Sequence, residues 1–263
     1  MDFQGKRVMV VGMAKSGIAS AGLLIDQGAM PVLYDAKSAE AFEAGSFDAF
    51  EGKAQFAFAA DPGAVMQSCD AMVLSPGVPT ALPFIEDAVA SGMKVIGEIE
   101  LGALFTDAQF VAITGTNGKT TTTALTGEVF AGAGFTTHVL GNIGIPIAGE
   151  VSKTKAGDII VAETAALQLE TIETFAPHVS AVLNITEDHL DRFITMAQYI
   201  AAKERVFENQ TEEDYCVLNY DNDVTRGMAG KQRSKVIWFS REQFLDEGIC
   251  GKRSALALKS CGS

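Results

Sequence analysis

Short apolar runs alternate with amphipathic segments along the first hundred residues of the chain. The predicted strands are Arg7–Val11, Val32–Asp35, Ala71–Leu74 and Lys94–Ile96. A glycine-containing turn and a helix follow the first strand, and Gly28 stops that helix just after Gln27 as a C-terminal cap. Strands that alternate with helices in this way predict a parallel sheet that is covered on both faces.

The same alternation restarts near Asp107, which predicts a second α/β domain. The predicted strands of this part are Phe110–Thr114, Ile159–Ala162, Val179–Leu183, Tyr215–Leu218 and Val236–Phe239. We therefore expect one domain over residues 1–107 and another over residues 108–263. A chain of 263 residues is long for one domain and natural for two.

Composition and charge narrow the class of protein. A net charge of −13 argues against a nucleic-acid partner, which requires a surplus of lysine and arginine. No run approaches the roughly 20 apolar residues that span a bilayer, and Met1 opens no signal peptide. The four cysteines have no paired spacing that would suggest zinc or a disulfide framework. We expect a soluble, cytoplasmic protein without a membrane partner.

A glycine loop after the strand Phe110–Thr114 is the clearest functional signal. The loop and the helix start that follows it comprise Gly115, Thr116, Asn117, Gly118, Lys119, Thr120 and Thr121. Glycines allow backbone N–H groups to approach phosphate oxygens, and a helix N-terminus favours negative charge. Lys119 would reach the outer phosphates of a triphosphate, and the Thr120 hydroxyl would bind Mg²⁺. The alternative is simple helix capping, but the strand in front favours a P-loop-type domain.

A second glycine turn, residues 12–17, follows the first strand. It resembles a dinucleotide fingerprint in which Ala14 replaces the middle glycine, and Asp35 ends the next strand where an acidic residue usually meets a ribose. These features predict a Rossmann-like domain. The pattern fits three interpretations: an NAD-dependent dehydrogenase, a domain that binds a nucleotide-bearing substrate, or ordinary turns without a binding role. Another turn, Ser75–Pro79, leaves a strand at the same ligand-binding edge.

Polar residues also follow two strands of the second domain. Glu163 directly follows one predicted strand, and Asp188 and His189 lie just beyond the next. The carboxyl ends of parallel strands share one edge, so these side chains could surround a Mg²⁺–triphosphate.

Lys203 is unusual because it falls on an apolar helical stripe. The stripe is Met196, Tyr199, Ile200, Lys203 and Phe207. Burying an ammonium group is costly unless the group is paired or chemically changed. Spacing alone slightly favours the alternative, in which the long side chain reaches back to solvent.

Together these segments resemble the Mur ligase family, and within it the members that add D-glutamate. The resemblance also rests on Gly97–Leu101, Gly141–Gly144 and Tyr199–Phe207, and it runs in order from residue 1 to about 240. It implies a three-domain, ATP-dependent enzyme of peptidoglycan precursor synthesis, and hence of cell shape and division. ATP would phosphorylate the carboxylate of UDP-N-acetylmuramoyl-L-alanine, and the amine of D-glutamate would attack the acyl phosphate. We expect the protein to be a monomer.

The resemblance also implies roles for single residues of this chain. The UDP moiety would be held by Lys15, Ser16, Asp35, Ser75 and Gly77. Asn142 and His189 would contact the substrate near the reaction centre. One Mg²⁺ would be held by Thr120 and Glu163, and a second by His189 and Lys203, the latter as an N-carbamate. The implied catalytic residues are Lys119, Asn142, His189 and Lys203.

Three departures from the family pattern carry expectations of their own. Ala165 and Ala166 stand where the family has two serines, and Phe193 stands where histidine or tyrosine is usual. The chain also ends before the last part of the family's central domain and before its whole third domain, and we expect these parts to carry the adenine-side contacts and the D-glutamate site. We therefore expect that this chain alone cannot complete the reaction. A truncated, non-catalytic nucleotide-binding module and a sister ligase for another amino acid remain the alternatives.

Overall fold

The computed structural model of the chain describes residues 1–142, 144–187, 193, 195–252 and 255–259. Its contacts divide the chain into two compact units. The first unit contains residues 1–106, 145–154 and 170–175, and the second contains residues 107–144, 155–169 and 176–263. Two short segments that follow residue 107 in the sequence thus pack into the first unit, which no local sequence pattern indicates.

Five parallel strands form the sheet of the first unit, in the order β3-β2-β1-β4-β5. The strands are β1 (Arg7–Val11), β2 (Met30–Asp35), β3 (Gln55–Phe58), β4 (Ala71–Leu74) and β5 (Lys94–Gly97). The helices are α1 (Lys15–Asp26), α2 (Pro62–Gln67), α3 (Pro83–Ala90) and α4 (Glu98–Ala103). Gly28, with φ +72°, follows the end of α1 and confirms the predicted helix stop.

The apolar runs of the sequence correspond to strands that are buried on both faces. Every residue of β4 is buried, and so is every residue of β1 except Arg7. One face of the sheet contributes Met9, Val11, Val32 and Met72 to a common core. A strand covered on both faces reads as a continuous apolar run because neither face meets solvent.

Eight strands form the sheet of the second unit, in the order β13-β12-β11-β10-β9-β6-β8-β7. The strands are β6 (Gln109–Thr114), β7 (Thr137–Gly141), β8 (Ile159–Glu163), β9 (Val179–Val182), β10 (Tyr215–Asn219), β11 (Lys235–Ser240), β12 (Gly248–Lys252) and β13 (Ala255–Lys259). The helices are α5 (Lys119–Gly132), α6 (Ala166–Leu169), α7 (Met196–Glu204) and α8 (Asp223–Arg226). All neighbouring strands run parallel except β12 and β13. The prediction of mainly parallel α/β sheets is confirmed.

The prediction missed β3, β7, β12 and β13, which lie at or near sheet edges. β3 has only four residues, and β7 carries Thr137, His138 and a Val139 that is 40% exposed. An edge strand is partly solvated, so polar residues interrupt its apolar run and weaken the signal. Among the described residues, no helix is long and apolar enough to cross a membrane.

Two glutamates at the start of α4 hold the late segments in the first unit. Glu98 Oε1 accepts the backbone N–H of Ala148 at 2.7 Å. Glu100 accepts three backbone N–H groups of residues 173–175 at 2.8 to 2.9 Å. Glu98 is 1% exposed, and its Oε2 has no hydrogen-bond partner among the described residues. Burial therefore raises the pKa of Glu98 to about 7, although backbone N–H groups favour its charged form.

Replacement of Glu98 by glutamine is expected to change how the stability of the first unit depends on pH. A pKa raised from 4.5 to about 7 means that the folded state keeps a proton which the unfolded chain loses. The stabilising contribution is therefore present below pH 4.5 and is lost as the pH rises through 7. The loss is on the order of 3 kcal/mol, and Glu98→Gln should remove it. Urea unfolding followed by circular dichroism between pH 5 and about 8 measures the difference.

Hydrogen exchange of peptides from α4 and residues 145–154 locates the effect in the first unit. Glu86→Gln is the matched control because Glu86 is exposed on α3. A Glu98→Gln variant whose stability follows the same pH curve as the unchanged chain would contradict the prediction.

Candidate functional site

The glycine loop joins β6 to α5 in a backbone conformation that requires glycine. Gly115 has φ +146° and Gly118 has φ +83°, both in the region that favours glycine. A Cβ on Gly115 would lie 3.1 Å from Leu183 Cβ and 3.2 Å from the carbonyl oxygen of Asn184. Because α5 begins directly after Gly118, the N–H groups of its first turn lie at the loop.

Asn184, which follows β9, fixes the middle of this loop. Its carbonyl oxygen accepts the N–H of Thr116 at 2.9 Å, and its Oδ1 accepts the N–H of Asn117 at 2.9 Å. Its Nδ2 donates to the carbonyl oxygen of Asn117 at 2.9 Å. The N–H groups of Thr116 and Asn117 thus support the loop, and the N–H groups of the first turn of α5 could bind an anion. No local sequence pattern indicates this role of Asn184, because the role depends on β9 lying beside β6.

Two lysines meet at the carbonyl oxygen of Gly115. Lys119 Nζ donates to it at 3.0 Å and also to the carbonyl oxygen of Thr116 at 2.9 Å. Lys203 Nζ donates to the Gly115 oxygen at 2.8 Å and lies 4.6 Å from the ring centroid of Tyr199. Both ammonium groups therefore lie at the glycine loop, where their positive charge could act on a bound anion.

The structure buries Lys203, so the expectation from spacing that it reaches back to solvent is wrong. The side chain is 1% exposed and lies on the inner face of α7. The side chains of Thr195 and Gln198 form a capping box that starts α7 at Met196. The predicted helical stripe therefore exists, and its lysine faces inward toward the loop.

Glu163 joins the start of α5 to the end of β7. It is 2% exposed, and its Oε2 accepts the hydroxyl of Thr120 at 2.8 Å. Its Oε1 accepts the side-chain amide of Asn142 at 2.7 Å. Among the described residues, no three His, Cys, Asp or Glu side chains gather into a metal-binding cluster. Asp188 and His189 lie outside the described residues.

A cleft of about 160 Å³ opens between these groups and α6. Its lining is polar at Lys119, Asn142, Tyr199 and Lys203 and apolar at Ala165, Ala166 and Leu167. The structure thus brings together all the described residues that were predicted to serve as catalytic groups.

In the first unit, Asp35 and Ser75 support the glycine turn after β1. Asp35 Oδ2 accepts the N–H of Met13 at 2.8 Å, and the Ser75 hydroxyl donates to the carbonyl oxygen of Gly12 at 2.7 Å. A Cβ on Gly17 would lie 1.9 Å from that same Gly12 oxygen, so the turn packs closely on the start of α1.

The other residues predicted to bind the UDP moiety surround this turn. Lys15 is exposed as the first residue of α1, and Ser16 is half-buried next to it. Gly77 is exposed beside open space. These residues leave room for a ligand at the carboxyl edge of the first sheet.

Comparisons with known proteins agree with this architecture. The family model described as "Mur ligase middle domain" matches residues 113–253, and the one described as "Mur ligase MurD-like, N-terminal domain" matches residues 6–97. The UDP-N-acetylmuramoylalanine–D-glutamate ligase of Pelotomaculum thermopropionicum is 45% identical over 248 residues, which are 94% of this chain and 54% of that protein. The ligase of the same name from Geobacter metallireducens is 41% identical over 263 residues, which are 100% of this chain and 58% of that protein. The chain spans about half the length of these relatives.

Solved structures share the fold at lower sequence identity. The Neisseria meningitides ligase for UDP-N-acetylmuramate and L-alanyl-gamma-D-glutamyl-meso-diaminopimelate gives a TM-score of 0.59 at 16% identity, covering 93% of this chain and 83% of that one. The UDP-N-acetylmuramate–alanine ligase of Thermotoga maritima gives 0.52 at 18% identity, covering 90% of this chain and 53% of that one. The structural likeness concerns the fold, and the family models together account for most of the sequence. The chain belongs to the Mur ligase family.

Proposed function

We propose that this chain carries the substrate-binding and ATP-binding parts of a ligase that adds D-glutamate to UDP-N-acetylmuramoyl-L-alanine. The observation that supports this most strongly is the meeting of Lys119 and Lys203 at the Gly115 oxygen, beside the cleft. The names of relatives that are 41% and 45% identical support the choice of D-glutamate. Residues 1–107 would bind the UDP substrate, and residues 108–263 would bind ATP.

The residues at the start of α5 fit a magnesium ion. Thr120 and Glu163 offer a hydroxyl and a buried carboxylate at 2.8 Å from each other, and Mg²⁺ prefers oxygen ligands. One protein carboxylate is sufficient because Mg²⁺ commonly completes its shell with phosphate oxygens and water. When bound, the ion would supply positive charge that reduces repulsion between a triphosphate and a carboxylate substrate.

The proposed reaction proceeds in two steps at the cleft. The alanyl carboxylate oxygen attacks the γ-phosphorus of ATP, and the bond from phosphorus to the ADP oxygen breaks. The amine of D-glutamate then attacks the acyl carbon, loses a proton and displaces inorganic phosphate, which leaves an amide. Lys119 is placed to stabilise the negative charge of the first step.

Lys203 and His189 are proposed to serve a second Mg²⁺, with Lys203 as an N-carbamate. Lys203 lines the cleft, so a carboxylate group added to its Nζ would lie beside that space. The modification would replace a buried cation by an anionic oxygen ligand, which suits a hard metal. His189 lies outside the described residues.

A non-catalytic nucleotide-binding module is the second candidate. Ala165 and Ala166 line the cleft without the hydroxyls that the family pattern has there. A protein that had lost the reaction could still bind ATP and the UDP substrate through the remaining groups. A sister ligase for another amino acid is the third candidate, since the roles proposed for the described residues concern ATP and the UDP substrate.

Titration calorimetry of the chain with UDP-N-acetylmuramoyl-L-alanine tests the proposed substrate. We expect saturable binding that Asp35→Ala weakens, because this change releases the N–H of Met13 and loosens the glycine turn. Asp48→Ala, at an exposed position of the same unit, should bind like the unchanged chain. UDP-N-acetylmuramate and UDP-N-acetylmuramoyl-L-alanyl-D-glutamate should bind more weakly. Absence of binding by the alanyl substrate would refute the substrate assignment, and tighter binding of either comparison ligand would favour a sister ligase.

A further inference from the structure

We propose that Asn142 is a positioning residue that orients Glu163 for a divalent cation. The inference rests on the proposed function, because it assumes a metal–nucleotide site at the start of α5. It gives Asn142 a role that differs from the substrate contact implied by the family resemblance. The three elements involved, β7, β8 and α5, all belong to the second unit.

Backbone pairing alone places Asn142 next to Glu163. β7 and β8 are parallel neighbours with Gly141 opposite Glu163. Gly141 has φ +106°, and a Cβ there would lie 2.3 Å from the Glu163 carbonyl oxygen, so only glycine permits this approach. The N–H of Asn142 then donates to that carbonyl oxygen at 2.9 Å.

The two oxygens of the Glu163 carboxylate receive different donors. The Asn142 amide reaches Oε1 at 2.7 Å, and the Thr120 hydroxyl reaches Oε2 at 2.8 Å. A hydroxyl can turn its proton away and offer a lone pair, whereas an amide N–H₂ group can only donate. A cation between Thr120 and Glu163 would therefore take Oε2, while Asn142 keeps Oε1 in place.

Because Glu163 is buried, the loss of the Asn142 donor should change how the carboxylate binds a metal ion. The residue is 2% exposed, so water provides little compensation for a lost donor. Partners that orient a metal ligand affect metal affinity by roughly 10- to 100-fold when they are removed. Asn142 itself is exposed, so its side chain contributes little to the core.

Manganese binding tests the inference on the full chain, with Mn²⁺ as a paramagnetic probe and a non-hydrolysable ATP analogue as the nucleotide. We expect Asn142→Ala to weaken Mn²⁺ binding roughly 10-fold or more, while the affinity for the nucleotide without metal stays the same. Asn142→Ser is the second variant, because its shorter side chain preserves polarity but does not reach Oε1. Thr137→Ala is the control at the other end of β7, where the hydroxyl bonds only to the Phe135 carbonyl oxygen among the described residues.

Each outcome separates the inference from the function on which it rests. If the unchanged chain binds no nucleotide and no Mn²⁺, the proposed function fails and the inference fails with it. If the unchanged chain binds both and the Asn142 variants bind Mn²⁺ equally well, only the inference is overturned. A parallel loss of metal-free nucleotide binding and of urea resistance would overturn it too, because that pattern indicates a purely structural role.

Discussion

Replacement of Lys119 by methionine is expected to lower the affinity of the chain for a non-hydrolysable ATP analogue by roughly 10- to 100-fold. A hydrogen bond to a charged group contributes about 1.5 to 3 kcal/mol, and each 1.4 kcal/mol is a tenfold change in affinity. The Lys119 ammonium group bonds to two loop carbonyl oxygens, so it lies over the loop that would receive the phosphates. Fluorescence of a labelled analogue titrated with the chain measures the change.

The expected loss should depend on the terminal phosphate. If the lysine reaches the outermost phosphate, the unchanged chain should bind an ATP analogue and an ADP analogue with clearly different affinities. For Lys119→Met the two affinities should differ little. Lys235→Met is the matched control. Lys235 is the first residue of β11, so it lies at the amino ends of the parallel strands, whereas the glycine loop lies at their carboxyl ends. An unchanged affinity in Lys119→Met would remove the main support for a triphosphate site.

Local sequence patterns were sufficient to locate the glycine loop between β6 and α5. A strand, two glycines and a lysine at a helix start lie within a dozen residues, and each has one dominant physical meaning. The same holds for β1 and β4, whose continuous apolar runs reflect burial on both faces. Features that depend on neighbours in sequence were therefore predictable.

Contacts between distant segments were not predictable in the same way. Lys203 and Gly115 are 88 positions apart, and the helical stripe alone could not decide whether the ammonium group turns inward or reaches solvent. Asn184 supports the loop only because β9 lies next to β6. Glu98 Oε2 has no hydrogen-bond partner among the described residues because of the packing around α4, which no periodicity encodes.

Carbamate formation on Lys203 is the second result with a large expected effect. The neutral amine attacks carbon dioxide, a nitrogen–carbon bond forms, and one proton is released, so the product carries a negative charge. The chain equilibrated with ¹³C-labelled bicarbonate at alkaline pH should show a carbamate signal in ¹³C nuclear magnetic resonance. Lys203→Met should abolish that signal, while Lys119→Met should retain it.

This result would decide which charge acts at the Gly115 carbonyl. As an ammonium group, Lys203 donates to that oxygen at 2.8 Å and supports an anion directly. As a carbamate it would lose that donor and act through a metal. In an enzyme that extends beyond residue 263, Lys203→Ala should then lose activity and regain part of it with short-chain carboxylates, which replace the missing anion. Absence of the signal, together with no rescue, would leave the buried ammonium group as the functional form.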